Sequence, residues 1–99
     1  SGILKPYIAF EMISRLKEII SVPIHMQTHA TAGLSTATNL KAIEAGIDNI
    51  DTSISSMSLT YGHSPTESIV SCLEDTERNT ELNLNELQKI ADYFMRVIP

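Results

Sequence analysis

The chain has 99 residues, enough for one domain at most, since single domains usually contain about 100 to 150 residues. A hydrophobic fraction of 42%, a charged fraction of 19% and a mean hydropathy of +0.01 are typical of a globular protein and argue against a disordered or collagen-like chain. The net charge of −5 leaves no basic surface for a phosphate backbone, so we expect no nucleic-acid partner.

The sequence also bears on membrane insertion, secretion and the reactivity of its cysteine. No apolar run approaches the roughly 18 residues that span a bilayer, and the first residues resemble no signal peptide. We therefore expect a soluble, cytoplasmic protein without membrane insertion. The single cysteine, Cys72, falls among Ile69, Val70 and Leu73 in a helical pattern, which predicts a buried, unreactive thiol.

The first half of the chain predicts two helices and two strands in alternation. Apolar residues at helical spacing follow Pro6, and a short apolar segment lies between Pro23 and a turn of small residues at 30–33. Gly46 stands where a helix end favours a left-handed backbone. The predicted elements are a helix at about 6–20, a strand at 24–29, a helix at about 35–45 and a strand at 48–52.

The second half begins with a segment at 53–63 that is rich in serine, threonine and glycine and predicts a loop. Ser64, Pro65 and Glu67 then form a capping-box pattern, which predicts a helix that starts there and ends near residue 75. Asn83 repeats the capping pattern with Glu86 and predicts a last helix to about residue 97.

Strands that alternate with helices of ten or more residues predict parallel pairing and an α/β fold, in the order helix, strand, helix, strand, helix, helix. Two parallel strands alone make a poor sheet with open edges. We therefore expect residues 1–99 to be a single fragment of a larger domain. A homo-oligomer or a companion chain would cover the open surfaces.

The most informative residues for chemistry lie in the first predicted strand. His25, Gln27 and His29 share one face of an extended strand, with Met26 and Thr28 on the other face. The two histidines would lie about 13 Å apart, too far to bind one ion, whereas Gln27 and His29 would lie about 6.6 Å apart. The spacing therefore allows half of a metal site, or ordinary hydrogen-bonded side chains.

Four further features are compatible with either a site or a structural role. His63 lies in the predicted loop, and the hydroxyl-rich stretch 52–60 could bind a carboxylate or phosphate. Asp48 and Asp51 flank the second strand, and Asp51 lies at the carboxyl end where parallel sheets place functional groups. No motif for a nucleophile or a nucleotide is present, so no catalytic residue is assigned and no cofactor-binding residue is identified.

Five segments together resemble the carboxyltransferase domain of biotin-dependent enzymes. They are GILKPY, PIHMQTHATAG, LKAIEAGIDNIDTSISSMS, GHSPTES and LQKIADYF. The similar proteins are the α subunit of oxaloacetate decarboxylase, the large carboxyltransferase subunit of transcarboxylase, and pyruvate carboxylase in its one-chain or two-subunit form. This resemblance implies a (β/α)₈ barrel, of which the chain would be a truncated later part.

The resemblance also implies a divalent metal, zinc, cobalt or manganese, at the barrel mouth. Family members carry P-I-H-x-H-T-H-D-T-x-G, in which the last two histidines bind the metal. His29 matches the second of these, whereas Gln27 replaces the first and Ala30 replaces an Asp or Ser. The family's aspartate and carbamylated lysine ligands would lie outside this chain, so we expect little or no bound metal.

The family reaction moves a carboxyl group between carboxybiotin, held by a biotin carrier, and a 2-oxo acid such as pyruvate or oxaloacetate. Two interpretations follow. The chain is a segment of such a carboxyltransferase that is inactive alone, or it is a small non-catalytic α/β module that self-associates through surfaces that a barrel would bury.

Overall fold

A computed structural model describes residues 3–30 and 33–97. It confirms the α/β class, with two parallel strands and one helix more than expected. In chain order the elements are α1 (Pro6–Ile19), β1 (His25–Met26), α2 (Ser35–Glu44), β2 (Asn49–Ile50), α3 (Ser55–Tyr61), α4 (Thr66–Leu73) and α5 (Leu84–Val97).

The chain divides into two compact units, one ending at Asp51 and the other beginning at Thr52. The expectation that residues 1–99 form a single domain fragment stays a prediction. No helix among the described residues is long and apolar enough to cross a membrane.

The first unit packs two helices against a two-stranded parallel sheet. Helix α1 contacts α2, and β1 pairs with β2 so that His25 lies opposite Asn49. The buried Thr38 hydroxyl of α2 donates to the Leu4 carbonyl oxygen at 2.9 Å, which ties α2 to the segment before α1. The apolar core of this unit consists of Ala9, Ile13, Met26, Ala42, Ile43 and Ile47.

Both strands are shorter than predicted. The strands predicted at 24–29 and 48–52 contain only two residues each, because backbone pairing ends where Asp51 N–H donates to the Met26 carbonyl oxygen at 3.1 Å. Alternation of buried and exposed residues nevertheless continues beyond β1. The sequence pattern therefore follows the alternation of buried and exposed side chains, which extends beyond the residues that form backbone hydrogen bonds between β1 and β2.

Two predicted turns frame α2. Gly46 has φ of +101°, as predicted, and follows the end of the helix. Its N–H donates to the Ile43 carbonyl oxygen and Ile47 N–H donates to the Ala42 carbonyl oxygen, both at 3.0 Å, which is a Schellman motif. In the small-residue turn before α2, Gly33 N–H donates to the Ala30 carbonyl oxygen at 2.9 Å, and residues 31 and 32 lie outside the described residues.

The prediction of a loop at 53–63 is wrong, because this segment contains helix α3. The Glu67 carboxylate accepts a hydrogen bond from Ser55 N–H at 2.9 Å, so the first turn of α3 is capped from another helix. Gly62 adopts a left-handed conformation, φ +71°, and its N–H donates to the Ser58 carbonyl oxygen at 2.8 Å. A composition rich in serine and threonine does not reveal a cap supplied by a side chain 12 residues away.

The predicted start of the next helix is also corrected. Ser64 is not its N-cap, since Pro65 precedes the first helical residue. The Ser64 carbonyl oxygen instead accepts from Ser53 N–H at 2.9 Å, and Thr66 N–H donates to the Ser53 carbonyl oxygen at 2.8 Å. These bonds form a parallel bridge between Ser53 and Pro65 that holds the segment extended.

Helix α5 begins as predicted, because the Asn83 side-chain oxygen accepts from Glu86 N–H at 3.0 Å. It packs against α3 and α4 in the second unit. Ile69, Val70, Leu73 and Ala91 are buried there, but Cys72 is exposed, so the predicted buried thiol is wrong. At about 100° per residue, Cys72 lies outside the arc that holds its three buried neighbours on α4.

Candidate functional site

The candidate site is the exposed face of β1 and of the three residues that follow it. Met26 and Thr28 are only 8% and 2% exposed, whereas His25 and Gln27 are exposed and His29 is half-buried. The structure therefore confirms the predicted sharing of faces. It directs three polar side chains away from the core of the first unit.

Backbone bonds and one hydroxyl hold this segment in place. The Ile24 carbonyl oxygen accepts from Asp48 N–H at 3.3 Å and from Asn49 N–H at 3.1 Å. Beyond the ladder, the Ser35 hydroxyl at the start of α2 approaches the Thr28 carbonyl oxygen at 3.5 Å, the long limit of a hydrogen bond. The backbone that carries Gln27 and His29 thus runs between the end of β1 and the start of α2.

A hydrogen bond joins the two strands on this face. His25 Nε2 lies 2.7 Å from Asp51 Oδ1. The sequence pattern singled out each residue separately and did not pair them. The register of β1 against β2, which brings residue 25 opposite residue 49, is the information that was missing.

Asp48, at the opposite end of β2, has a structural role, which was one of the two alternatives for this residue. Its Oδ2 accepts from Ile24 N–H at 2.8 Å and from Lys17 Nζ at 2.9 Å. The carboxylate therefore joins β2 to both the start of β1 and the end of α1.

The hydroxyl-rich stretch lies in the second unit, and two of its hydroxyl groups, those of Thr52 and Ser58, make internal hydrogen bonds. Thr52 Oγ1 and Thr66 Oγ1 lie 2.7 Å apart, and the Ser58 hydroxyl donates to the Ser55 carbonyl oxygen at 3.0 Å. The side chain of Thr60 lies outside the described part. These contacts favour a structural role for Thr52 and Ser58 over an anion site. His63 is half-buried and lies two residues before Pro65, which forms the bridge with Ser53.

The residues present do not form a complete metal site. Within 3–30 and 33–97, no group of three or more histidine, cysteine, aspartate or glutamate side chains is arranged to hold an ion. Gln27 offers a neutral amide oxygen and His29 one imidazole, whereas protein zinc sites use about three or four ligands. The metal roles of these two residues stay a prediction.

Comparison with known proteins decides the family. Residues 1–94 match the sequence model of the HMGL-like family. The chain belongs to the HMGL-like family. This result confirms the family resemblance seen in the sequence.

Two curated relatives show which part of the family the chain is similar to. The B subunit of pyruvate carboxylase from Methanocaldococcus jannaschii is 47% identical over 97 residues, which cover 98% of this chain and 17% of the relative. The methylmalonyl-CoA carboxyltransferase 5S subunit of Propionibacterium freudenreichii subsp. shermanii is 42% identical over 101 residues, 100% of this chain and 20% of the relative. The chain thus spans about a fifth of the length of these relatives.

Solved structures agree with the sequence relatives. The carboxyl transferase domain of Rhizobium etli pyruvate carboxylase, solved with pyruvate, superimposes with a TM-score of 0.93 at 35% identity. The match covers 97% of this HMGL-like chain and 16% of that chain. The chain therefore has the fold of a fragment of the carboxyltransferase barrel, as the sequence resemblance implied.

Proposed function

We propose that this chain is a segment of a biotin-dependent carboxyltransferase that acts only within a complete (β/α)₈ barrel. The reaction class is transfer of a carboxyl group between carboxybiotin and a 2-oxo acid. The observation that carries the proposal is the exposed polar face of β1, which lies on a segment matching a carboxyltransferase barrel.

The orientation of β1 supports this assignment. Its apolar face packs in the core of the first unit, while His25 on the strand and Gln27 directly after it are exposed. In (β/α)₈ barrels, functional groups lie at the carboxyl ends of the strands and helices cover the outside. Gln27 and His29 follow the carboxyl end of β1, which is the position that this rule predicts.

The substrate class is taken from the solved relatives. One structure of the Rhizobium etli domain contains pyruvate and biocytin, and another contains 3-hydroxypyruvate. We propose the same two classes, a small 2-oxo acid and a biotin group on a carrier, for the complete protein. Decarboxylation of oxaloacetate, a lyase reaction, belongs to the same proposal.

His29 is the proposed metal ligand on this segment, and Gln27 occupies the place of a second imidazole. The site would need donors from other parts of a barrel, because this face supplies one imidazole and one amide. No catalytic step is assigned to a metal here, since the residues present do not complete a site.

We further propose a cytoplasmic location.

The chain alone provides the test. Without the rest of a barrel, the purified chain is expected to decarboxylate oxaloacetate no faster than free manganese, zinc or cobalt in buffer. The matched control is His29→Ala, which is expected to give the same rate as the unmodified chain. Turnover above the metal background that His29→Ala abolishes would contradict the requirement for a complete barrel.

A non-catalytic, self-associating module is the second candidate, favoured by exposed apolar side chains. In the first unit, Ile8, Met12 and Ile19 of α1 are exposed. In the second unit, Ile90, Tyr93 and Val97 of α5 are exposed. Such surfaces are usually covered by a partner, either a second copy or a companion chain that completes a barrel.

A further inference from the structure

We propose that Ser35 is a positioning residue whose buried hydroxyl, carried by α2, fixes the peptide group between Thr28 and His29 and so directs the His29 side chain. This role rests on the proposed function in one respect, namely that the segment carrying His29 is functional. The contact itself belongs to the first unit and is tested without any reaction.

The segment that carries His29 lies beyond the paired part of the sheet. The ladder between β1 and β2 ends with the pair of Met26 and Ile50, and Asp51 N–H then donates to the Met26 carbonyl oxygen at 3.1 Å. His29 follows three residues after Met26, so its backbone is not part of the ladder. Contacts from outside the sheet are therefore needed to hold this backbone in one orientation.

Ser35, the first residue of α2, supplies such a contact. Its hydroxyl donates to the Thr28 carbonyl oxygen at 3.5 Å, the long limit of a hydrogen bond. That carbonyl belongs to the planar peptide group whose N–H is that of His29. Ser35 is 1% exposed and Thr28 is 2% exposed, so water has little access to replace the hydroxyl. Because the backbone orientation limits the rotamers of a side chain, the contact acts on the direction of the His29 imidazole.

Helix α2 is a firm support for the Ser35 hydroxyl. Three residues later, on the same side of the helix, Thr38 is fully buried and its hydroxyl donates to the Leu4 carbonyl oxygen at 2.9 Å. Further along α2, the Lys41 ammonium lies 5.2 Å from the centre of the Tyr7 ring on α1. These contacts fix α2 to α1 and to the segment before it, so the Ser35 hydroxyl has a defined position.

NMR of the 99-residue chain labelled with carbon-13 and nitrogen-15 tests this role. Three-bond couplings from the backbone to Cγ of His29 are expected to show one χ1 rotamer in the unmodified chain. Ser35→Ala is expected to move the carbonyl carbon signal of Thr28 upfield, because the hydrogen bond is lost, and to average the His29 couplings over several rotamers. Ser35→Thr keeps the hydroxyl and is expected to retain the values of the unmodified chain.

Ser58→Ala is the matched control. It also removes the hydroxyl of a buried serine that donates to a carbonyl oxygen, that of Ser55 at 3.0 Å, but in the second unit. This variant is expected to leave the Thr28 and His29 signals unchanged even if it lowers the melting temperature.

The role of Ser35 is overturned if the unmodified chain already averages the His29 couplings, or if Ser35→Ala leaves the Thr28 and His29 signals in place. It is equally overturned if Ser35→Thr behaves like Ser35→Ala, or if Ser58→Ala changes the same signals as much. Failure of the proposed carboxyltransferase function would appear in activity measurements on a complete barrel and would leave these couplings unaffected.

Discussion

Glutamine at position 27 determines what the exposed face of β1 can bind. An amide oxygen is a neutral ligand suited to hard cations, whereas imidazole suits softer transition metals such as zinc. His29 therefore has one weak companion donor on this face, and within the described residues no cluster of stronger ligands surrounds it. Binding of a transition metal by this segment alone should be weak.

Isothermal titration checks that expectation. With manganese, zinc or cobalt, the chain is expected to bind no tighter than about 10 μM, because one imidazole and one amide leave most coordination positions to water. Gln27→His is expected to strengthen binding only modestly, since two imidazoles still fall short of a complete ligand set. Stoichiometric submicromolar binding that disappears in His29→Ala would show this account of the site to be wrong.

Predictions for single residues were confirmed where the backbone conformation depends on residues close by in the sequence. Gly46 takes its left-handed conformation because the helix end demands it, and Asn83 caps α5 through the N–H of Glu86, three positions away. Cys72 was predicted to be buried but is exposed, because a helical pattern defines the buried face of a helix only to within an arc of its circumference. The bond between His25 and Asp51 could not be predicted, because it depends on strand register.

At the scale of elements, α3 shows how a distant side chain can support a helix. Its first turn has no capping side chain of its own, and both Glu67 carboxylate oxygens approach Ser55 N–H, at 2.9 and 3.3 Å. This bond satisfies one of the N–H groups that a helix start leaves without an intrahelical partner. The stability of α3 is thereby coupled to α4, which carries Glu67.

Glu67→Ala is expected to lower the free energy of unfolding by about 1 kcal/mol, the usual effect of removing a cap. Amide hydrogen exchange at Ser55 should accelerate in this variant. Glu67→Gln is the control, because its amide oxygen can still accept from the same N–H and should preserve most of the protection. Unchanged Ser55 exchange in Glu67→Ala would contradict the assigned cap.

The sequence predicted best those helices whose apolar spacing and start or end residues lie within the helix or directly beside it. Helices α1, α2 and α5 follow from apolar spacing together with local start or end residues. Helix α3 was missed and the start of α4 was misplaced, because Glu67 and Ser53 act across the second unit. The strands were too long in the prediction, since alternating burial continues past the last backbone pair.

For the whole molecule, the central question is what covers the exposed apolar side chains. Ile8, Met12 and Ile19 lie along one stripe of α1 at helical spacing. The apolar pattern of the sequence predicts an interface that includes Ile24, Met26 or Ile50 and at least one apolar helix stripe. Met26 is 8% exposed and belongs to the core of the first unit, so the α1 stripe is the better interface candidate there.

Sedimentation equilibrium at micromolar concentration is expected to show a dimer or higher oligomer. Met12→Lys should shift the equilibrium toward a 10.9 kDa monomer, because it places a charge within the stripe. Glu18→Lys introduces lysine on another side of α1 and should not change the association state. A folded wild-type monomer whose melting is independent of concentration would rule out self-association.

Family membership and length together support the proposed role of the chain as a barrel segment. Nearly the whole chain aligns with these relatives, but it spans only about a fifth of their length. A barrel distributes its functional groups over the ends of several strands, so one segment contributes only its share. We therefore expect function from this segment when the remaining strands surround it.

The most direct test replaces the matching segment of the Methanocaldococcus jannaschii pyruvate carboxylase relative with this sequence carrying Gln27→His, and measures carboxyl transfer to pyruvate. This chimaera is expected to transfer the carboxyl group, and adding His29→Ala is expected to abolish that transfer. A chimaera with the circular dichroism and melting temperature of its parent but no transfer would contradict the proposed carboxyltransferase function of this segment.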